Sequence, residues 1–390
     1  MNPVRADVAV VGSGLVGLVA ALALAKAGLR VRLLAAEGFP EPIERPWDSR
    51  IYAIGPGSVA LLTELGAWSR VDPRRVQPVL GMEIFGDLPP GTLRFDAMDS
   101  GVEALAFIVE SRELQSRLWH AVLASGTIEL LEGARAQALE VTADTAVLVL
   151  DDGSRSESSL VVGADGARSW IRESAGVTTR SQAYDQTGVV ANFRGTRTHG
   201  AIARQWFRPD GILAMLPLPG NDVSMVWSAT GPWAQELLAM DERALCEQVV
   251  AATGSRYGDL ACIGPALGFP LRWMDAEQYV RPRLALIGDA AHNVHPLAGQ
   301  GVNLGFRDVK ALADVMAGRG MERDAGAQSL LRRYERSRRE DVSTMIAVTD
   351  GLQRLFSSRT PGLPWLRNSG LSMVGRLPML RHLLARHVLA

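Results

Sequence analysis

The chain has 390 residues, 47% of them hydrophobic, and its 41 basic against 42 acidic side chains leave a formal net charge of −1. This length exceeds what one hydrophobic core usually organises, so two domains sharing an interface are expected. The charge balance argues against a nucleic-acid partner, which selects basic stripes, and the apolar content argues against a disordered scaffold.

MNPVRADVAVVGSG runs straight into an apolar segment with no small-residue cleavage site after it, so no secretory leader is expected. AVVGSGLVGLVAALALA nears the length of a membrane span, but Gly12, Gly14 and Gly17 divide it into a buried strand, a turn and a helix ended by Gly28. LRVRLLAA supplies the next strand and completes a βαβ unit. Helices are expected near 57–66 and over 111–125. The weakly alternating TIELLEG and ALEVTADTAVLVLDDG follow, and DDG makes a hairpin turn into SESSLVVGADG. From about 184 to 272 the pattern becomes period-two strands, interrupted by one amphipathic helix over 233–253 and resumed near 261–273. Glycine-rich and helical sequence returns from 284. The nucleotide-type domain is therefore expected to be discontinuous, with a sheet domain inserted in it.

Gly12, Gly14 and Gly17 form G-x-G-x-x-G after a strand and opening a helix, the arrangement that brings backbone amides against a dinucleotide pyrophosphate. The acid expected at the end of the second strand is missing: Ala35 and Ala36 stand there and Glu37 comes next. Glu37 is either the ribose ligand or an ordinary surface acid. In VVGADGARSWIR, Asp165 and Gly166 turn a strand into a helix beginning near Arg168. Asp165 can brace that turn, and Arg168 can reach an anion or the opposite chain segment. In GDAAHNVHPLAGQGVNLGFRD, a strand ends at Gly288 and Asp289, and Pro296 with the glycines at 299, 301 and 305 leads into a helix carrying Asn303 and Asp308. Asp289 is placed to take a ribose-type hydroxyl. His292 and His295 lack a third ligand of metal-site spacing, so no metal is expected. Cys246 and Cys262 are read as reduced core thiols of a cytosolic protein. No Ser-centred elbow, HExxH, Walker A or CxxC occurs, so a bound redox cofactor is expected to carry the chemistry.

Together these segments resemble the class A flavoprotein aromatic monooxygenases, and HPLAGQGVNLGFRD is similar to the signature of the ubiquinone-biosynthesis hydroxylase family. The resemblance implies an α/β fold: a Rossmann-like FAD-binding domain like that of para-hydroxybenzoate hydroxylase, with an inserted α+β substrate domain on a mostly antiparallel sheet. It implies FAD-binding parts at 1–75, 101–180 and 273–345, substrate-domain segments at 76–100 and 181–272, and a basic amphipathic helical region at 346–390. Gly12, Gly14, Gly17, Glu37, Arg50, Arg112, Asp165, Asp289, Gly301 and Asn303 would contact FAD, and Pro296, Gly299, Gln300 and Gly301 would surround its ring. The main departure from the family is Ala35, where relatives commonly carry the ribose-binding glutamate.

The implied chemistry is FAD reduction by NADH or NADPH, O2 addition at the flavin C4a position, and oxygen transfer to the ring of a polyprenylated phenol. A hydroxylase of another aromatic compound and a non-catalytic flavoprotein binding prenylated intermediates are the alternatives. Trp206, Phe207, Met215, Pro217 and Trp227 either cover the substrate or pack the core. The tail from Arg359 to Ala390 carries arginines among leucines and no acid. It either rests on the inner face of the cytoplasmic membrane, docks on a partner such as another enzyme of the pathway, or packs on its own core. A homo-oligomer is compatible with the resemblance.

Overall fold

The computed structural model describes residues 5–39, 47–88, 91–294, 300–320 and 324–357. The chain opens with β1 (Ala6–Val11), α1 (Leu15–Lys26) and β2 (Val31–Ala35). β3 (Ile51–Ile54), α2 (Pro56–Glu64) and β4 (Gln77–Val79) follow, then β5 (Gly81–Phe85), β6 (Thr92–Asp96) and β7 (Ala106–Glu110). α3 (Ser111–Ser125) leads to β8 (Ile128–Glu132), β9 (Ala136–Val141), β10 (Ala146–Leu150), β11 (Arg155–Gly163) and the short α4 (Trp170–Ser174). Next come β12 (Thr179–Gly195), β13 (Ile202–Arg208), β14 (Gly211–Pro217) and β15 (Asp222–Thr230), then α5 (Gly231–Ala239), α6 (Glu242–Thr253), β16 (Leu260–Cys262) and β17 (Leu267–Ala276). β18 (Val280–Arg281), β19 (Leu284–Leu286), β20 (His292–Asn293), α7 (Gln300–Ala317) and α8 (Gln328–Ser357) close the described chain.

The first sheet runs β18-β19-β11-β1-β2-β8, with β10 and β9 extending β11. Its β19, β11, β1, β2 and β8 are mutually parallel. This is the Rossmann-like half. α1 is buried almost all round, with Leu18, Val19, Ala20 and Ala21 at 0% exposure. An apolar helix with no polar face suits that enclosed position. The second sheet, β20-β17-β12-β15-β14-β13-β5-β6, is antiparallel except where β13 meets β5. A small sheet, β3-β7-β4, sits between them.

The second sheet has two covered faces. On one, Val189, Leu213, Met215, Met225 and Trp227 pack with Leu237, Leu245 and Val249 of α5 and α6. On the other, Ala203, Leu216 and Met82 pack with Ile51, Ala53 and Ile108 of the small sheet.

Several expectations need correction. The single helix over 233–253 is two, because Asp241 caps α6, its Oδ1 accepting from Ala244 N at 2.8 Å. The helix after Asp165 starts at Trp170, one turn-like step past Arg168, with Ser169 as its N-cap. Gly301 and Gly305 lie inside α7 rather than ahead of it. A Cβ on Gly305 would fall 2.7 Å from Val16 Cγ2, so the glycine admits α1 rather than making a turn. Cys246 and Cys262 are unbonded but only partly buried, with sulfurs 3.5 Å apart where α6 meets β16. Burial and the neighbouring Cys246 push the Cys262 thiol up to about 12. His295, Pro296, Gly299 and the tail from 358 lie outside the described residues, as does the side chain of Gln300.

Candidate active site

The three glycine-bearing turns meet at the carboxyl edge of the first sheet. Val11 pairs with Gly163, and Gly163 with Leu286, so β1, β11 and β19 end side by side. Gly12, at φ +112°, would place a Cβ 2.4 Å from the Ala164 oxygen, and a Cβ on Gly17 would sit 1.9 Å from the Gly12 oxygen. Both glycines therefore permit backbone-on-backbone packing. Gly14 differs, since nothing lies within 4 Å of its Cβ position. It is the N-cap of α1, with no side-chain cap and no acid in the first turn, leaving amides directed at open space. Gln115 Nε2 donates to the Ser13 oxygen at 2.9 Å and steadies this loop from α3. Gln115 carries no motif of its own in the sequence; its position one turn past Arg112 on the same helix is the available signal.

Asp165 braces its turn from within: its carboxylate accepts from Ser169 Oγ and, at 3.0 Å, from Ile171 N. Arg168 is exposed. The inter-segment bridge expected of it is made by Arg172, which donates to the Ala290 and Ala167 oxygens, each at 3.0 Å. This ties the Asp165 turn to the Asp289 turn. Asp289 faces solvent. The surrounding protein mass raises its carboxyl above the ordinary range, against the pull of His292 and Arg50.

Behind that turn lies a buried charge cluster. Asp308, at 0% exposure, accepts through Oδ2 from Gly288 N at 2.8 Å and His292 Nε2 at 2.7 Å. Its Oδ1 accepts from Arg338 Nε at 2.7 Å. Despite burial, which opposes ionisation, His292 and Arg338 hold the Asp308 carboxyl below its usual range. His292 is thus a support for the Gly288 turn.

Asp48 gathers the two expected arginines. Its Oδ1 accepts from Arg50 N and its Oδ2 from Arg112 N, each at 3.1 Å, while both guanidinium groups stay exposed. Glu37 is exposed beyond the end of β2, and the carboxylate beside Ala35 in register belongs to Glu132 of β8. Asn303, 3% exposed, is a clamp. Its Oδ1 accepts from Gly55 N at 2.9 Å and Ser58 Oγ at 2.8 Å, and its Nδ2 donates to the Ala53 oxygen at 2.8 Å. Asn303→Ala is expected to cost about 3 kcal/mol, because it strands these buried groups between α7 and the β3–α2 corner. Denaturant midpoints with and without FAD check this.

Strand parity places the residues expected near the substrate on two different faces of the second sheet. Met215 and Trp227 are fully buried beneath α5 and α6, and Trp206 packs against the same cluster. Pro217, two residues past Met215 and opposite the buried Val223, shares that face. Phe207 lies on the other face, against Ile212 and Phe356. Successive side chains alternate, so these bulky residues divide between the two faces of the sheet rather than lining one.

The residues present fit FAD. Gly14 leaves room and donors for a pyrophosphate, Asp289 opens to the same edge, and Arg50 and Arg112 flank it. Bound FAD would supply the redox and oxygen chemistry. The FAD binding domain family matches residues 5–349. Among solved structures, P. aeruginosa PqsL has the same fold, with a TM-score of 0.78 at 23% identity over 95% of this chain and 100% of that one. Fold and site together define a class A FAD-dependent monooxygenase. Over 385 residues the chain is 36% identical to ubiquinone hydroxylase UbiL of Rhodospirillum rubrum, covering 98% of this chain and 89% of the relative. Identity to 3-demethoxyubiquinol 3-hydroxylase of Escherichia coli is also 36% over 385 residues, covering 98% of each. The chain belongs to the ubiquinone-biosynthesis hydroxylase family, whose members use FAD, NAD(P)H and O2.

Proposed function

We propose that this protein hydroxylates the aromatic ring of a polyprenylated phenol on the route to ubiquinone. The carrying observation is the match across 98% of the chain to two relatives named as ubiquinone and demethoxyubiquinol hydroxylases. In this reading the amides after Gly14 hold the FAD pyrophosphate and Asp289 takes a ribityl hydroxyl. Arg50 and Arg112 border the flavin, and Pro296, Gly299, Gln300 and Gly301 surround its ring. The antiparallel sheet shields the reacting ring from water.

Deleting the gene is expected to accumulate a quinone precursor lacking one ring hydroxyl, read by mass spectrometry. The purified holoenzyme with NAD(P)H and isotopically labelled dioxygen should place one labelled oxygen on that precursor. Unchanged quinone synthesis, or label arriving from water, would overturn the reading.

Among the described residues, no helix is long and apolar enough to cross a membrane. A substrate with a polyprenyl chain partitions into bilayers, and the arginine-rich segment from Arg359 supports peripheral contact with an anionic membrane face as part of the same proposal. Co-sedimentation with anionic but not neutral vesicles is the expected result.

A further inference from the structure

We propose that the cleft at the carboxyl end of α6 binds a nucleoside phosphate, its phosphate held by Arg197 and Arg256 and its base set against Trp206. The site is separate from the flavin edge, and the inference does not depend on the ring-hydroxylase reading.

The cleft measures about 600 Å³ where α6 ends beside β13, and Arg197, Arg204, Trp206, Thr253, Ser255 and Arg256 line it. That volume suits a small organic ligand rather than a bare ion. Gly254, at φ +62°, turns the chain out of α6. The last helix carbonyls are met locally: Ala251 O accepts from Gly254 N at 3.3 Å, Val250 O from Ser255 N at 2.9 Å, and Ala252 O from Arg208 Nη1 at 3.4 Å. Closing the helix end therefore consumes neither Arg197 nor Arg256.

The backbone brings those two arginines to one rim. Arg197 N donates to the Tyr257 oxygen at 3.0 Å, and Asp259 N donates to Thr196 Oγ1 at 2.9 Å, which fixes the segment after β12 beside the turn that carries Arg256. Arg204 is already spent, with Nε on Glu83 at 2.8 Å and Nη1 on the His199 oxygen at 3.1 Å. Arg197 and Arg256 are exposed, and neither has a carboxylate partner among the described residues. Arg197 Nη1 reaches only the Ser255 oxygen, at a long 3.5 Å, and that oxygen already accepts from Gly258 N at 3.1 Å. Arg256 stands over the Phe85 ring at 4.8 Å. Two guanidinium groups at one rim repel each other, and a phosphate that both can fork onto turns that repulsion into attraction.

The aromatic wall explains why the ligand carries a ring. Trp206 is half-buried and stacks on Phe85, its register partner on β5, at 5.3 Å and 16°. Because Arg256 covers the same Phe85, cation and indole belong to one assembly. A planar base can cover the indole left open there while its phosphate meets the arginines, whereas inorganic phosphate would leave that apolar surface wet. Trp206 packs with the α5 and α6 cluster, while the small sheet carrying Ile51 and Ala53 covers the opposite face. A ligand here is an effector, out of reach of the flavin edge.

The test uses the full-length, FAD-loaded protein and isothermal titration calorimetry with adenosine 5′-monophosphate and ribose 5-phosphate. Arg197→Ala and Arg256→Ala are each expected to weaken the mononucleotide about tenfold, and the double variant more than either. Flavin content and melting temperature should stay at wild-type levels, because both side chains are exposed. If an alanine variant does not fold, the corresponding lysine variant serves, since it keeps the charge and loses the fork. Ribose 5-phosphate should bind at least about tenfold more weakly than the mononucleotide, the loss of one stacked base. Saturating NAD+ should not displace the mononucleotide. Absence of mononucleotide binding by the wild type, or wild-type affinity in the double variant, overturns the site. Displacement by NAD+ moves the binding to the co-substrate's own site and overturns it as well. Equal affinity for the two probes overturns the role of Trp206.

Discussion

Asp308→Asn is expected to destabilise the folded protein by about 3–5 kcal/mol, the usual result of removing one member of a buried ion pair. An amide cannot replace this carboxylate in either orientation. Both oxygens accept: Oδ2 takes Gly288 N and His292 Nε2, and Oδ1 takes Arg338 Nε. The new NH2 would therefore face a donor, and Arg338, 5% exposed, would keep only Asp341 as a carboxylate partner among the described residues. The loss extends beyond stability because Gly288 N starts the turn that presents Asp289, so FAD retention should fall with it. Asp308 has its carboxyl below the ordinary aspartate value of 3.8 in the folded protein. Its contribution is therefore fully present above that value and is lost as the pH falls through the lower folded value. The wild-type and Asp308→Asn melting curves should differ by a constant amount across neutral pH and converge only in strong acid. Arg338→Met alone should also destabilise, and the double variant should lose less than the sum of the two. Additive losses would show that the pair is not coupled.

The sequence made the first sheet's edge legible because each of its turns needs particular residues. Gly12 and Gly17 are required by backbone contact, and the short Asp165 and Asp289 turns follow apolar strands that admit little else. The face that each strand residue of the second sheet occupies was not legible. Period-two patterning identifies a face only when the other face is wet. Here one face is covered by helices and the other by the flavin-side elements, so Val189 and Val190, or Val226 and Trp227, read alike. Bulk then selects Met215 and Trp227, which belong beneath α5 and α6. Arg172 was missed for a different reason: the sequence placed the cation at Arg168, two residues after the Asp165-Gly166 turn, but Ser169 capping delays the helix and turns Arg172 toward Ala290. Asn303 and Asp308 were visible as polar residues in the helix that follows the Gly288 turn. That they hold Gly55, Ser58 and Gly288 depends on contacts across long sequence separations.

Gly17→Ala and Gly14→Ala are expected to fail in opposite ways, although they sit in the same motif. A Cβ on Gly17 would lie 1.9 Å from the Gly12 oxygen, a backbone atom that cannot rotate away, and its nearest side-chain neighbour, Ala164 Cβ, stands at 3.4 Å. The turn between β1 and α1 must open, at a cost of about 3 kcal/mol or more. Because Gly12 itself packs against Ala164 in the Asp165 segment, that opening also separates β1 from β11. Gly17→Ala should thus lower the apoprotein's melting temperature and abolish FAD retention together. Gly14 has φ −71° and ψ 177°, which alanine adopts freely, and nothing lies within 4 Å of its Cβ position. Gly14→Ala should then leave the apoprotein within about 1 kcal/mol of wild type, the scale of an N-cap change. Its methyl group enters the space before the uncapped amides of α1, where a pyrophosphate has to approach closely. FAD affinity should fall by at least about tenfold, since the charge-assisted hydrogen bonds lengthen without any loss of fold. Apoprotein melting and FAD titration of the two variants separate the structural glycine from the ligand-facing one. If Gly14→Ala binds FAD like wild type, the open space before α1 does not receive the pyrophosphate.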